Sequence, residues 1–313
     1  MCSRIVSAPK HVCYNFAVPE SSSAQPRQLG STRCGGLVLH WGARTYIMGV
    51  LNVSPDSFSG DGAAGLDEAV ARAEGLVADG ADIIDVGGES TRPGAEPLAA
   101  DEELRRVIPV LRTLRQKLPV PLSVDTYKAA VAREALDAGA DMLNDIWGLK
   151  KEPELADLAA ERDVPIVLMS NQRGDAPCGD IVATVIADLR RAMDEAVARG
   201  VAWENVIVDP GIGFGKTQEQ NVELLRGLDR LQVLGRPILL GSSRKSFIGW
   251  VLDLTPRERS GGVPFVPPSD RRVEGTAATV AIGIVKGADM VRVHDVGEMV
   301  RVCRMSDAVV RGV

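Results

Sequence analysis

Histidine is almost missing from this sequence: 313 residues contain three, His11, His40 and His294. A Ser/His/Asp hydrolase or a multi-histidine metal centre needs imidazoles that converge. Only His294 lies in the regularly patterned part of the chain, so both classes are excluded. Cysteine is sparse and badly spaced for metal or disulfide work. Cys2, Cys13, Cys34, Cys178 and Cys303 form no Cys-x-x-Cys pair, and only Cys13 has a histidine, His11, within two residues. Free thiols in a reducing cytoplasm fit that usage better than a zinc site or a secreted disulfide framework. No apolar run approaches the roughly 18–20 residues that span a bilayer, and the first residues lack the h-region of a secretory signal. Positive charge is also in deficit, with 36 basic against 42 acidic residues and a net charge of −6. A broad nucleic-acid surface is therefore excluded, while a local basic pocket for an anion is compatible with the balance.

What is present is an ordinary globular composition, 45% hydrophobic and 25% charged, and a rhythm. Residues 1–33 show no periodicity and carry a Ser21-Ser22-Ser23 patch between Pro19 and Pro26, which reads as a loosely ordered extension. Residues 37–44 read as a short hairpin turning at Gly42. From there, short apolar segments alternate with amphipathic ones. Strands are expected at 45–51, 82–87, 120–125, 141–145, 164–169, 205–209, 236–241 and 289–293, and helices at 66–79, 101–117, 127–138, 180–199 and 218–233, among others. Short, nearly continuous apolar strands are what a parallel sheet covered on its faces requires. Eight such units predict a TIM (β/α)8 barrel with an N-terminal hairpin, one domain over residues 34–313, with a doubly wound open sheet as the rival architecture. A repeated Gly-Ala-Asp at 80–82, 139–141 and 287–289 ends a helix and begins a strand each time, which is read as shared packing.

The polar residues gather where the strands end. Asn52, Asp85 to Glu89, Asp125, Asn144 with Asp145, Asp209, Ser242 to Lys245, and Arg292 with His294 follow successive strands. In a parallel barrel all of these ends converge on the face that carries the active site. Buried carboxylates and amides there need partners, and a flat heterocycle rich in N–H and C=O edges supplies them. Two Pro- and Gly-rich runs, after Asn52 and after Gly87, suit loops that close over a ligand. Arg92 offers a bidentate fork in the second, and Asn52 an oxygen for a hard cation such as Mg²⁺. The run Asp209-Pro-Gly-Ile-Gly-Phe-Gly-Lys216 invites comparison with nucleotide loops but matches neither GxGxxG nor GxxxxGK[ST]. Arg292 and His294, two residues apart on one side of a strand, suit a diphosphate.

Taken together, Ile47-Met-Gly-Val-Leu-Asn-Val-Ser-Pro-Asp-Ser-Phe58, Asp85-Val-Gly-Gly-Glu-Ser-Thr-Arg-Pro-Gly94, Ser123-Val-Asp-Thr126, Asp209 to Lys216, Ser243-Arg-Lys-Ser246 and Arg292-Val-His294 resemble the dihydropteroate synthase family. The runs occur in the family's order and cover residues 45 to about 305. The resemblance implies a barrel transferase that joins 6-hydroxymethyl-7,8-dihydropterin diphosphate to p-aminobenzoate, giving 7,8-dihydropteroate and diphosphate in folate synthesis. It implies that Asp125, Asn144, Asp209 and Lys245 hold the pterin edge, with Met169 packed on the ring. Asn52, Arg292 and His294 would bind the diphosphate, with Mg²⁺ on the Asn52 side as cofactor. Thr91, Arg92, Pro93, Phe214 and Ser246 would shape the p-aminobenzoate pocket, with Asp56 acting from the first loop. Asp56, Arg92, Asp125 and Lys245 are the residues expected to carry catalysis. A homodimer is implied as well. Two features depart from the family: Ser170 follows Met169 where a histidine is usual, and an insertion occupies 257–273. Sulfonamides mimic p-aminobenzoate and insensitive family members exist, so the insertion raises the expectation of sulfonamide resistance. A methyltetrahydrofolate methyltransferase, or an inactive binding paralogue, are the competing readings at this level.

Overall fold

The computed structural model describes residues 29–53, 62–90, 96–175, 179–252 and 272–313, the side chains of 62–64 excepted. Eight parallel strands form the sheet: β3 (Tyr46–Asn52), β4 (Ile83–Gly87), β5 (Leu122–Asp125), β6 (Met142–Asp145), β7 (Ile166–Met169), β8 (Val206–Asp209), β9 (Leu239–Leu240) and β10 (Met290–Val293). Each of β3 to β7 pairs with the next, β10 lies between β3 and β9, and the ring closes where Val208 of β8 bridges Ile238 just before β9. Closure settles the choice between barrel and open sheet. Around the ring run α1 (Gly62–Ala78), α2 (Ala100–Lys117), α3 (Ala129–Asp137), α4 (Glu154–Arg162), α5 (Ile181–Ala198), α6 (Gln218–Arg226), α7 (Ser246–Val251), α8 (Val273–Val285) and α9 (Val296–Val310). The expected strands all form, within one to three residues of the predicted ends. The helix expected over 218–233 stops at Arg226 and continues as a 3-10 segment, Leu228–Leu234, because Gly227 interrupts it.

The hairpin requires a correction. Its strands are β1 (Ser31–Cys34) and β2 (Leu37–His40), turning at Gly35-Gly36 rather than Gly42. Gly35 adopts φ +53°, the left-handed geometry that a tight turn between paired strands demands. Gly42 is also left-handed, but it serves the bend from β2 into β3. Residues 29–33, assigned by sequence to the extension, therefore belong to the folded unit.

Alternation along the strands divides the apolar residues into two bodies. Ile47, Leu51, Ile84, Val86, Leu143, Leu168 and Val208 face outward and pack with the helices in one large cluster. Their inward neighbours Met48, Ile83, Met142, Val167, Ile207, Leu239 and Met290 form a separate floor inside the barrel, closed from below by Leu29, Cys34, Leu39 and Trp41 of the hairpin. Trp41 Nε1 donates to Thr32 Oγ1 at 2.8 Å, so the indole is buried without an orphaned donor.

The three Gly-Ala-Asp units are structural, as the sequence suggests. Gly80, Gly139 and Gly287 all take φ near +100°, which ends the preceding helix. Each aspartate then grips one residue of the neighbouring strand twice. Asp82 N donates to Ile47 O and its carboxylate accepts from Ile47 N; Asp141 does the same with Leu122, and Asp289 with Ile238. The carboxylate thereby satisfies a strand-leading N–H that the ladder leaves open.

Candidate active site

Two residues above the apolar floor, the same inward-facing register turns mostly polar, with Met169 and Gly241 as the exceptions. Asp85 is two after Ile83, Asn144 two after Met142, Met169 two after Val167, Asp209 two after Ile207, Gly241 two after Leu239 and Arg292 two after Met290. Strand periodicity thus converts a sequence offset into a spatial layer. Within it, Arg292 Nε donates to Asp85 Oδ2 at 2.6 Å and Arg292 Nη2 to Asp125 Oδ2 at 2.7 Å. Asn144 Nδ2 donates to the same Asp85 oxygen at 2.9 Å. Asp85 is fully buried, and its other oxygen, Oδ1, has no protein partner. Sequence reading placed Asp85 at a strand end without giving it a role. The apolar residue two positions earlier was the clue that it points inward.

A second group adjoins the first. Asp209 is buried, accepts the Gly211 N–H at 2.7 Å, and shares its surroundings with Lys245. Gly241 explains how close they come: a Cβ there would meet Asp209 Oδ2 at 3.6 Å, Lys245 Nζ at 3.9 Å and Arg292 Cβ at 4.0 Å. Lys245 donates to the Ile212 carbonyl, and its ammonium lies 4.5 Å from the centre of the Phe214 ring. Arg173 reaches the same ring at 4.7 Å. Met169, buried, stands in register with Asp209.

Burial sets the protonation states. It raises the Asp125 carboxyl to about 7, with Arg292 opposing and Asp85 reinforcing the rise, and it raises Asp209 against the pull of Lys245. Desolvation brings Lys245 down to about 8, with Asp209 resisting and Arg292 assisting. For Arg292, desolvation works against the charge, but Asp85 and Asp125 hold the guanidinium firmly protonated. His294 is neutral, its pKa drawn down to about 3 by desolvation and then by Arg292 and Arg244. Ser243 Oγ accepts the His294 backbone N–H at 3.2 Å and lies 3.0 Å from Nδ1. A Ser243 hydroxyl that donates to Nδ1 would leave Nε2 as an N–H donor.

Arg244 holds this corner together. It takes φ +57°, a costly geometry for a residue with a side chain, and its guanidinium grips the Asp295 carboxylate with two hydrogen bonds. That turn sends Arg244 outward and leaves Lys245 facing the cavity. Asn52 ends β3 beside Gly87, partly buried. Ser246 begins α7, exposed, its Oγ 3.4 Å from Gln218 Nε2. Asp56, Thr91, Arg92 and Pro93 fall outside the described residues, as does most of the 257–273 insertion. Ser170 is buried at the position noted as departing from the family's usual histidine, its hydroxyl donating to Asp188 Oδ2 at 2.9 Å and accepting from Gln172 Nε2 at 3.0 Å. Among the described residues no group of three or more His, Cys, Asp or Glu side chains is arranged to hold a metal ion, and no helix is long and apolar enough to cross a membrane.

A barrel with a mixed acid, amide and cation layer over an apolar floor is a site for a flat, hydrogen-bonding heterocycle, and a family model described as pterin binding enzyme matches residues 48–294. A dihydropteroate synthase of Bacillus subtilis (strain 168) is 50% identical over 271 residues, covering 86% of this chain and 90% of the relative. The solved structure of dihydropteroate synthase from Clostridium difficile in the presence of pteroic acid has 49% identity and a TM-score of 0.80, covering 87% of this chain and 98% of that one. The Xanthomonas albilineans dihydropteroate synthase with 4-aminobenzoic acid has 41% identity and a TM-score of 0.80, covering 89% and 97%. The chain belongs to the dihydropteroate synthases, a family of transferases within the pterin binding enzymes.

Proposed function

We propose that this barrel joins 6-hydroxymethyl-7,8-dihydropterin diphosphate to p-aminobenzoate, releasing 7,8-dihydropteroate and diphosphate, and does so in the cytoplasm. The observation that carries this reading is the convergence of Asp85, Asp125, Asn144 and Asp209 with Arg292 and Lys245 in one layer. The carboxylates and the Asn144 amide meet the N–H edge of the pterin, Lys245 donates to its acceptor edge, and Met169 packs on the ring. Asp85 Oδ1, buried and unpaired in the protein, gains a partner when that edge arrives.

The diphosphate extends from the ring toward Asn52, Arg292 and His294. Arg292 spends Nε and Nη2 on carboxylates, which leaves Nη1 for the anion. The neutral His294 ring offers Nε2–H without adding charge. Asn52 would offer its carboxamide oxygen to a Mg²⁺ ion bound with the diphosphate. When bound, the ion neutralises charge that grows on the leaving group. As the C–O bond breaks, the electron-rich pterin carries the positive charge of the methylene, so no covalent nucleophile is needed. The aryl amine then attacks and loses a proton, in a pocket formed by Phe214, Ser246, Thr91, Arg92 and Pro93, with Asp56 contributing from the first loop.

A homodimer is part of the proposal, supported by apolar side chains left in solvent on two neighbouring helices, α8 and α9. Val285 is 65% exposed, Met305 67% and Val309 72%. Sulfonamide insensitivity is proposed from the insertion alone. One assay tests the function: diphosphate release with both substrates, with and without Mg²⁺, and then with a sulfonamide. Release dependent on p-aminobenzoate supports the transferase; no release overturns it and revives the binding paralogue. Turnover that persists at high sulfonamide supports insensitivity, and full inhibition removes it.

A further inference from the structure

Lys216 closes the run that invites comparison with nucleotide loops without matching their motifs, and it does not face the cavity as a free cation would. Its ammonium donates to three backbone carbonyls: Ser170 O at 2.9 Å, Gly211 O at 2.9 Å and Phe214 O at 3.3 Å. These carbonyls belong to two βα loops, one after β7 and one after β8, and the second carries Phe214 between them and Lys245. The loops are pressed together as well as tied. A Cβ at Gly211 would come within 2.0 Å of Ser170 O, and one at Gly215 within 2.2 Å of the Gln172 carbonyl carbon. Gln172 N donates to Phe214 O at 3.2 Å, completing the seam.

We infer that Lys216 is a positioning residue for the p-aminobenzoate half of the reaction, a tether that fixes Phe214 against Lys245 rather than a substrate-binding cation. The inference rests on the functional reading above. It explains why an ammonium is kept at this place. The charged groups facing it are Asp209 on β8, Asp188 on α5, Lys245 ahead of α7 and Lys150 after β6. Desolvation lowers its pKa to about 7 even with Asp209 resisting, so the charge costs stability at neutral pH. An apolar side chain would carry no such cost but could not hold three carbonyls that share no other common donor.

Turnover by the wild-type chain with pterin diphosphate and p-aminobenzoate tests the functional reading first and by itself. The tether is then tested by Lys216→Met, Phe214→Ala and the double variant, with pterin diphosphate affinity measured separately by calorimetry. The expectation for Lys216→Met is a rise in KM for p-aminobenzoate of about tenfold, with kcat and pterin diphosphate affinity each changing less than about twofold. Because Lys216 acts through Phe214, the double variant should bind p-aminobenzoate no worse than Phe214→Ala alone, a coupling of about tenfold. Lys216→Gln, which retains two amide donors, should lose about threefold, and it stands in if Lys216→Met fails to fold. An unchanged KM, multiplicative losses in the double variant, or a parallel loss of pterin diphosphate affinity would each overturn the assignment.

Discussion

Charge placement among a few side chains decides most of the chemistry. Asp125 titrates near 7 and Lys245 near 8 in the free protein, so the carboxylate acceptor and the ammonium donor coexist only across a narrow window. Acidification below the first value protonates Asp125, and alkalinity above the second discharges Lys245. The kcat/KM for pterin diphosphate should therefore be bell-shaped with a maximum between those values, since that parameter reports the free enzyme. Asp125→Asn should remove the acid limb; a flat profile from about pH 6 to about 9 in the parent enzyme would count against both assignments. Arg292 is equally exposed to test. Arg292→Met strands the Asp85 carboxylate in a fully buried position, and breaking such a pair costs about 3–5 kcal/mol. A urea midpoint little different from the parent's would show that the pair contributes less than its geometry suggests. A diphosphate role for Asn52 came only from the family resemblance, whereas Arg292 and His294 were readable from their spacing as a pair suited to an anion. Asp85 was not, because a lone aspartate in Asp-Val-Gly-Gly reads as a strand terminus until its neighbours are known.

At the scale of elements, the strands were readable almost to the residue because buried parallel strands are short and apolar and end abruptly in polar residues. Glycine and aspartate then perform separate tasks at the two ends. At the lower end, Asp82, Asp141 and Asp289 each satisfy one strand N–H. Asp289→Ala should leave the buried Ile238 N–H without its carboxylate partner, at a cost of about 1–3 kcal/mol. Denaturation that leaves stability within about 0.5 kcal/mol of the parent would show that water or another group replaces it. At the upper end, Arg244 and Asp295 join the loops after β9 and β10, while Lys216 joins those after β7 and β8. None of these ties was visible in sequence, because the partners are backbone carbonyls or residues far along the chain. The hairpin was misplaced for a related reason. Gly42 and Gly35 are both left-handed turn glycines, and only strand pairing distinguishes them.

For the whole molecule, the hairpin acts as the barrel's lower wall. Trp41 and Leu39 cover the floor formed by Met48, Met142, Met290 and their neighbours, on which the polar layer stands. Trp41→Ala should cost about 3–5 kcal/mol by opening a cavity beneath that floor. Because the floor is one register below the site, the folded fraction should keep its affinity for pterin diphosphate; calorimetry below the melting transition would show this. A large fall in affinity without a fall in melting temperature would mean that the floor and the site are coupled more directly than their separation implies.

By itself, the sequence determined the alternation of strand and helix, the polar ends of the strands and the motifs of the family, since these depend on local periodicity and on residue type. Only the tertiary structure decided which glycine turns the hairpin, that the sheet closes at Val208 and Ile238, that Asp85 takes Asn144 and Arg292 as partners, and that Lys216 points at carbonyls. Each of those outcomes depends on a partner distant in the chain, and a linear pattern specifies which way a side chain faces before it specifies what waits for it there.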